Sequence, residues 1–384
     1  MSGPPTSLPE EVVARHYRTG QPWLLTFEGL ALRHLAPAPR TLSTDLILAP
    51  GLFDIQVNGF GGVDFNSPAP RPADVLAATR ALACHGVTRY LPTVITGPTE
   101  VMRRCLTTLA DAVARYPEVR RAVPGFHVEG PYLSDREGAR GAHDPQCMRP
   151  PDDAHFALLQ EAAGGLIRHV TLAPELPGAA QFIRRRAAEG LVVALGHTTA
   201  SPQEIEAAVT AGAQLSTHLG NGCEALLPRH VNPVTVQLGH DSLWASFIPD
   251  GHHLPPYLLK SFLRAKGIER SILTTDCMAA AGAPVGRYRL GRLELEVGAD
   301  RVVRQPGQTN FAGSALTLDR GVANVAQWTG LALADALDMA SLHPLRLFGL
   351  TTADFPTPDG HLILATTSPS FTLTAVVCGG QRML

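Results

Sequence analysis

Short apolar segments alternate with amphipathic segments from about residue 45 to residue 278, and this alternation limits the folds open to the chain. The apolar segments are rich in Val, Ile and Leu, as in VTRYLPTVI and LVVALGHTT, and helical segments such as PQEIEAAVTAGA separate most of them. Strands that alternate with helices of roughly 10–15 residues form parallel sheets. We therefore predict an α/β fold in which eight such units close a (β/α)8 TIM-like barrel.

The pattern changes outside this region. The segment Tyr288–Val303 alternates apolar and polar residues around Gly298-Ala299-Asp300, which is typical of a β-hairpin, and the tail FTLTAVVCGGQRM indicates another hairpin or a paired edge strand. We predict a barrel over residues 48–350, with a β-hairpin insertion near 286–304. Residues 1–47 and 351–384 are predicted to form a small accessory β-domain. The stretch Pro228–His240 lacks a helical pattern.

Composition excludes several classes of partner. The net charge is −2, and no strong cluster of Lys and Arg offers a surface for nucleic acid phosphates. No segment approaches the roughly 20 apolar residues of a membrane span. Six scattered cysteines without a C-x-x-C pair fit a reducing compartment, and the N-terminus lacks the features of a signal peptide. We expect a cytoplasmic protein with neither a nucleic acid nor a membrane partner.

Four predicted strands end in residues suited to metal binding or proton transfer. Glu129 ends FHVEG, His197 ends VVALGH, His218 ends LSTH and Asp276 ends ILTTD. A single such residue often only caps a loop. In a barrel, however, the carboxyl ends of all strands converge on one face, where active sites are built. Four strands with the same feature therefore favour one shared functional pocket over four separate structural roles.

The chemistry of these side chains predicts a metal-dependent hydrolase. Two imidazoles and a carboxylate, here His197, His218 and Glu129, are a known catalytic zinc ligand set that leaves a position for water. The metal would activate that water, and Asp276 would take its proton as general base and return it to the leaving amine as general acid. The absence of lysine from the strand ends argues for one divalent metal ion, either Zn²⁺ or Fe²⁺.

Several motifs carry a family resemblance, in order, from about residue 48 to residue 350: PGLFDIQVNGFGG, PGFHVEGPYL, ALGHTTA, STHLGNG, IPDGHH, TTDCMAAAG, AGSALTLDRGV and MASLHPLRLFGL. Together they resemble the N-acetylglucosamine-6-phosphate deacetylases of the amidohydrolase superfamily. The resemblance implies a barrel with an accessory domain, one metal ion per subunit and a homodimer. It also implies hydrolysis of an amino-sugar phosphate at an amide bond.

The resemblance assigns further roles to residues of this chain. His143 is similar to the family histidine near the scissile carbonyl, which makes it a catalytic candidate beside Asp276. Gln56 and Asn58 stand where many amidohydrolases carry His-x-His for a second metal. Neutral amides are poor zinc ligands, so the replacement agrees with a single ion. The positions that resemble the family's sugar and phosphate contacts are Asn221, Gly222, Arg229 and His253.

Departures from the family pattern leave the substrate open. The segment usually written HLFNAM is His218-Leu219-Gly220-Asn221-Gly222-Cys223 here, and the loop after Arg229 also differs. Our leading hypothesis is deacetylation of N-acetyl-D-glucosamine 6-phosphate to D-glucosamine 6-phosphate and acetate. The alternatives are a deacetylase of another N-acyl amino sugar or N-acyl compound, and a protein that binds a sugar phosphate without catalysis.

Overall fold

The computed structural model of the protein describes residues 10–307, 311–350, 355–356 and 360–383. The strands are β1 (Glu11–His16), β2 (Pro22–Glu28), β3 (Ala31–Pro37), β4 (Leu46–Pro50), β5 (Leu52–Val57), β6 (Gly59–Phe60), β7 (Val63–Asp64), β8 (Val87–Ile95), β9 (Phe126–Glu129), β10 (Ile167–Leu172), β11 (Val192–Leu195), β12 (Leu215–Ser216), β13 (Trp244–Phe247), β14 (Ser271–Leu273), β15 (Gly286–Leu290), β16 (Leu293–Val297), β17 (Val303–Arg304), β18 (Leu362–Thr366), β19 (Thr372–Cys378) and β20 (Gln381–Arg382). The helices are α1 (Pro72–Ala83), α2 (Thr99–Arg115), α3 (Pro117–Ala122), α4 (Asp153–Ala162), α5 (Ala179–Ala188), α6 (Pro202–Ala211), α7 (Pro233–Gly239), α8 (Pro256–Lys266), α9 (Leu318–Thr329), α10 (Leu333–Met339) and α11 (Leu342–Leu347). Among these described residues, no helix combines the length and the hydropathy that crossing a membrane requires.

One large parallel sheet forms the centre of the fold. Its strands lie in the order β5-β8-β9-β10-β11-β12-β13-β14, and each neighbouring pair is parallel. The two ends of the sheet meet at a parallel bridge between Val57 and Cys277, where the backbone N–H of Asn58 donates to the carbonyl of Cys277 at 2.8 Å. The predicted barrel is confirmed in this coarse form, as an almost closed parallel sheet of eight strands.

The barrel units follow from continuous apolar strands and well-capped helices. Strand β11 is buried along its whole length, as expected for a parallel strand covered on both faces. Helix α6 begins with a capping box in which Ser201 Oγ accepts from the backbone N–H of Glu204 and the Glu204 carboxylate accepts from that of Ser201. Such a cap contributes about 1 kcal/mol. Gly212, with a φ of 114°, ends the helix. The local sequence therefore contains a signal for each end of α6.

A second, smaller sheet brings the two ends of the described chain together. It closes in the order β1-β2-β3-β20-β19-β18-β4 and has its own apolar core, which includes Leu25, Leu48 and Val377. The apolar segment DLILAPGLFDIQVNG therefore forms two strands, of which β4 belongs to the small sheet and β5 to the barrel. Gly51 joins them, and a Cβ there would lie 2.2 Å from Thr88 Oγ1. The domain boundaries at 47/48 and 350/351 stay a prediction.

The insertion near 286–304 contains one more strand than the sequence indicated. Strands β15, β16 and β17 form a three-stranded antiparallel sheet. The predicted turn at Gly298-Ala299-Asp300 joins β16 to β17, but a second turn at Gly291-Arg292 joins β15 to β16. This turn is not visible in the sequence because the apolar alternation continues across it. Gly291 has a φ of 58°, and its N–H donates to Asp64 Oδ2 at 2.8 Å, which fastens the turn to the barrel.

The expectation of a non-helical stretch near Pro228–His240 is wrong for its second half. Helix α7 lies there, and the side chain of Asn232 caps it by accepting from the N–H of Thr235 at 2.9 Å. The segment PVTVQLG contains β-branched residues of low helix propensity, so its internal pattern is weak. Packing, the Asn232 cap and a proline in the first turn form the helix despite that composition.

Candidate active site

The four polar residues predicted at strand ends lie together at the carboxyl end of the barrel. Glu129 is the last residue of β9, whereas His197, His218 and Asp276 follow β11, β12 and β14 by two or three residues. Glu129 and both histidines are buried. The parallel order of the sheet places all four on one face, which is where barrel enzymes carry their active sites.

Three of these residues have a strained backbone. His197, His218 and Asp276 have φ values of 50°, 30° and 50°, in the left-handed region that non-glycine residues rarely adopt. Among the described residues, only one other non-glycine residue, Arg301, has a positive φ. Such strain persists where the surrounding structure holds it and is common at functional sites. The unusual backbone among the described residues is therefore concentrated at the strand ends that carry the predicted site residues.

Glu129, His197 and His218 bring three donor atoms close together. Nε2 of His218 lies 3.0 Å from Oε1 of Glu129 and 3.1 Å from Nε2 of His197, and Nε2 of His197 lies 3.4 Å from the same Oε1. A tetrahedral ion with ligand bonds of about 2.0–2.1 Å separates its donor atoms by roughly 3.3 Å. The triangle therefore has the dimensions of one face of a metal coordination shell.

The hydrogen bond that His197 makes supports a role for its ring as a metal ligand. Nδ1 of His197 lies 2.8 Å from the carbonyl oxygen of Ala139, so Nδ1 carries the proton and donates it to that oxygen. The lone pair of the neutral ring is then on Nε2, which faces Glu129 and His218. Metal-binding histidines commonly donate their second nitrogen to a carbonyl in this way. The donor set and its tautomer thus fit a divalent ion.

His143 lies beside the same carboxylate. Its Nε2 is 3.6 Å from Oε2 of Glu129, and potential ligand atoms of Glu129, His143 and His197 all lie within 4.8 Å of one another. Burial, followed by the effect of His197, lowers the pKa of His143 to about 3, so its ring is neutral at pH 7. Glu129 and His197 therefore form a ligand triplet with either His218 or His143, and His218 lies closer to Glu129 than His143 does.

Asp276 is held by the two neutral amides that precede it in the barrel. Its Oδ1 accepts from Nδ2 of Asn58 at 2.7 Å and from Nε2 of Gln56 at 3.0 Å. Gln56 Nε2 also donates to Oε1 of Glu129 at 2.9 Å. Burial, followed by the charge of Glu129, raises the pKa of Asp276 to about 6. A carboxyl group with a pKa near neutrality can both accept and return a proton in one catalytic cycle.

A cavity of about 390 Å³ opens over these groups. The predicted site residues that line it are Asn58, Glu129, His143, His197, His218, Asn221, Gly222, His253 and Asp276. Gln56 is buried behind them. Arg229 is exposed and does not belong to the cavity lining. The structure therefore brings together the predicted acid/base, metal and sugar positions but leaves the predicted phosphate-binding arginine outside.

Three residues around the site were not predicted from the sequence: Asp250, Leu290 and Leu293. Asp250 Oδ2 accepts from Nδ1 of His253 at 2.6 Å, and its Oδ1 accepts the backbone N–H of His253 at 2.8 Å. The spacing Asp250-x-x-His253 in IPDGHH was a signal that could have revealed this pair. Leu290 and Leu293 of the insertion also line the cavity, but their sequence contains no indication of which surface they cover.

Comparison with known proteins agrees with this geometry. Residues 47–353 match the amidohydrolase family. The chain therefore belongs to the amidohydrolase family. Its resemblance to the N-acetylglucosamine-6-phosphate deacetylases within that family is confirmed by relatives and solved structures of that name.

Two curated relatives show the extent of that similarity. An N-acetylgalactosamine-6-phosphate deacetylase of Escherichia coli O157:H7 is 36% identical over 304 residues, covering 79% of this chain and 78% of that protein. An N-acetylglucosamine-6-phosphate deacetylase of Bos taurus is 36% identical over 336 residues, covering 83% and 79%. Among solved structures, a mutant N-acetyl-D-glucosamine-6-phosphate deacetylase of Mycobacterium smegmatis in complex with N-acetyl-D-glucosamine-6-phosphate aligns with a TM-score of 0.85. It is 28% identical and covers 98% of this chain and 100% of that one.

Proposed function

We propose that the protein hydrolyses N-acetyl-D-glucosamine 6-phosphate to D-glucosamine 6-phosphate and acetate. The proposal rests on one observation. The close donor atoms of Glu129, His197 and His218 lie in the same cavity as the side chain of Asp276. Relatives with the same assigned activity support the substrate class. The reaction cleaves one amide bond with one water.

The proposed metal ligands are Glu129, His197 and His218, which would hold one divalent ion, Zn²⁺ or Fe²⁺. When bound, such an ion supplies Lewis acidity, which polarises a carbonyl and lowers the pKa of water. Gln56 and Asn58 occupy the places from which a second ion would be held, and their amide nitrogens already donate to Asp276. A single ion per subunit follows.

In the proposed reaction, Asp276 moves the proton. Both amide donors bind its Oδ1, and no group in the described part of the chain hydrogen-bonds Oδ2. Oδ2 is therefore available to take a proton from the attacking water and to deliver it to the nitrogen as the C–N bond breaks. His143 is neutral at pH 7 and is proposed to donate a hydrogen bond to the scissile carbonyl oxygen.

The sugar is proposed to bind along Asn221, Gly222 and His253, all of which line the cavity. Asp250 holds Nδ1 of His253, so Nε2 is the ring nitrogen available to a ligand. Arginine suits phosphate because its planar guanidinium can bind two oxygens. Because Arg229 lies outside the cavity lining, its proposed contact with the 6-phosphate rests on the family resemblance.

A second candidate substrate is another acetamido sugar phosphate, in particular N-acetyl-D-galactosamine 6-phosphate. One relative at 36% identity is named for that activity, and the segment His218-Leu219-Gly220-Asn221-Gly222-Cys223 departs from the family pattern beside the sugar positions. The two sugars differ only in the configuration of one hydroxyl group. A panel of both sugar phosphates and their phosphate-free forms would decide between them by the ratio of kcat/KM.

We further propose a cytoplasmic homodimer. All six cysteines are free thiols, which suits a reducing compartment. Leu226, Val231 and Tyr257 expose 90%, 56% and 76% of their surface, and apolar side chains this exposed are candidates for a subunit interface. Sedimentation equilibrium of the purified protein would give the subunit number, and a monomer at micromolar concentration would contradict the proposal.

The decisive test is acetate release from N-acetyl-D-glucosamine 6-phosphate by the zinc-loaded protein, compared with the Asp276→Asn variant. We expect turnover by the wild type and at least a thousandfold loss in the variant, because an amide cannot accept the proton. Zinc content should be equal in the two proteins. Inactivity of a wild type with bound zinc would overturn the proposed substrate.

A further inference from the structure

A second cavity of about 610 Å³ adjoins the candidate active site. The two spaces share a wall that includes Ile95, Ala142, His143, Leu290 and Leu293, since each of these residues lines both. The larger space therefore lies directly beyond the histidine that we place at the scissile carbonyl. Neither the proposed metal ligands nor the proposed sugar contacts line it.

Most of the buried lining of the second cavity is apolar, and the buried polar side chains of Asn66 and Thr96 are hydrogen-bonded to backbone groups. Val94, Met102 and Cys105 are each about 1% exposed. The charged side chains along the cavity are at least partly exposed to solvent, as Arg104 and Arg292 are. An aliphatic group would therefore meet matching surface inside, while the charged groups remain hydrated at the edge. The lining favours an uncharged hydrocarbon chain over an anion.

The position of the cavity relative to the substrate determines which group can enter it. Asn221, Gly222 and His253 line only the first cavity, whereas Val94 and Met102 line only the second. His143 lies between these two sets. The acyl carbon of the substrate carries the sugar nitrogen and one carbon substituent. If the sugar extends towards His253, the carbon substituent faces past His143 towards the second cavity.

We propose that the second cavity is an acyl subsite that binds aliphatic N-acyl groups longer than acetyl, with N-butyryl as the representative. The inference rests on the proposed function, because it takes the sugar orientation from it. A methyl group is comparable in size to a water molecule, whose share of liquid volume is about 30 Å³, and fills little of this space. Each further methylene that enters it buries apolar surface and strengthens binding.

Gly97 offers a direct way to fill the subsite. It lines the second cavity but not the first. Among the described residues, the atoms that a Cβ there would meet within 4 Å are Ile95 O and Met102 Cγ, each at 3.9 Å. Gly97→Leu therefore adds a side chain at the wall without a backbone clash. Gly239→Leu is the matched control, since Gly239 ends α7 on an exposed surface and a Cβ there meets nothing within 4 Å.

The experiment measures binding of N-acetyl- and N-butyryl-D-glucosamine 6-phosphate to zinc-loaded Asp276→Asn protein by calorimetry. The two added methylenes predict about tenfold tighter binding of the butyryl compound. Adding Gly97→Leu should remove this preference, so that the dissociation constant of the butyryl compound equals or exceeds that of the acetyl compound. Adding Gly239→Leu should leave the ratio unchanged.

The outcomes separate the subsite from the proposed function. Butyryl binding that is equal to or weaker than acetyl binding overturns the subsite, whereas acetate release by the wild type would leave the deacetylase proposal intact. Butyryl preference that Gly97→Leu removes supports the subsite even if the wild type releases no acetate. Binding of neither compound overturns the subsite, and it overturns both proposals if the wild type also releases no acetate.

Discussion

The side-chain amide of Gln56 donates to Oδ1 of Asp276 at a distance of 3.0 Å. The same nitrogen donates to Oε1 of Glu129 at 2.9 Å, so one amide group separates two carboxylates that would otherwise repel each other. A histidine at this position would offer a metal ligand, whereas glutamine offers two hydrogen-bond donors. The neutral amide thus links the proposed metal ligand to the proposed proton carrier.

Replacing Gln56 with leucine should reduce turnover by about 10- to 100-fold. Hydrogen bonds to charged groups contribute about 1.5–3 kcal/mol, and the substitution removes the donor from both carboxylates at similar side-chain size. Acetate release and zinc content would be measured together. Gln160→Leu is the control, because within the described part of the chain the Gln160 side chain hydrogen-bonds the backbone of Ile167 alone. Unchanged kcat in Gln56→Leu would show that the bridging amide does not support catalysis.

Substitution of single histidines decides between the two ligand triplets. His218 lies 3.0 Å from Glu129 and His143 lies 3.6 Å from it, so we expect His218→Ala to lose bound zinc and His143→Ala to keep one equivalent. His143→Ala should still lose at least a hundredfold in kcat through its contact with the carbonyl. Zinc content after dialysis, determined by plasma emission spectrometry, gives the answer. Zinc loss confined to His143→Ala would instead favour Glu129, His143 and His197 as the ligands.

Asp250→Asn should raise KM for the sugar phosphate about tenfold with a smaller change in kcat. Asp250 accepts both the ring N–H and the backbone N–H of His253, and an uncharged amide holds the ring less strongly. Steady-state kinetics with the phosphorylated substrate would measure the effect. A fall in kcat at constant KM would place His253 in the chemical step and not in substrate binding.

Asp54 should make stability depend on pH. It is fully buried, accepts from both Thr274 Oγ1 and Thr275 Oγ1, and burial raises its pKa to about 6 despite these hydrogen bonds. The folded protein therefore holds the proton more tightly than the unfolded chain, whose pKa is about 3.9. The resulting stabilisation is present below about pH 4 and is lost as pH rises to about 6, by roughly 3 kcal/mol.

Denaturant unfolding of the wild type and of Asp54→Asn at pH 4.5 and pH 7.5 would measure this effect. The difference in unfolding free energy between the two proteins should shift in favour of Asp54→Asn at the higher pH, because asparagine does not ionise. Substitution of the exposed Asp111 by asparagine serves as the control and should show a much smaller shift. A difference between wild type and Asp54→Asn that stays constant with pH would contradict the raised pKa.

Much of the barrel was predictable because its determinants are local. The segment VTRYLPTVI corresponds to β8 (Val87–Ile95), and the predicted helical segment PQEIEAAVTAGA contains α6 (Pro202–Ala211). Apolar runs and helical periodicity depend only on neighbouring residues, so they are visible without the fold. The turn at Gly291-Arg292 and helix α7 were missed because their local patterns resemble those of a continuous strand and of a loop.

The sequence by itself determined which residues stand at the carboxyl ends of the parallel strands. Glu129, His197, His218 and Asp276 could be grouped because a parallel barrel places all such ends on one face. Only the tertiary structure decided that Gln56 lies between two carboxylates, that Asp250 holds His253, and that the 286–304 insertion covers a second cavity. These contacts join distant segments whose relative positions are set by packing, and no local pattern in either segment specifies its partner.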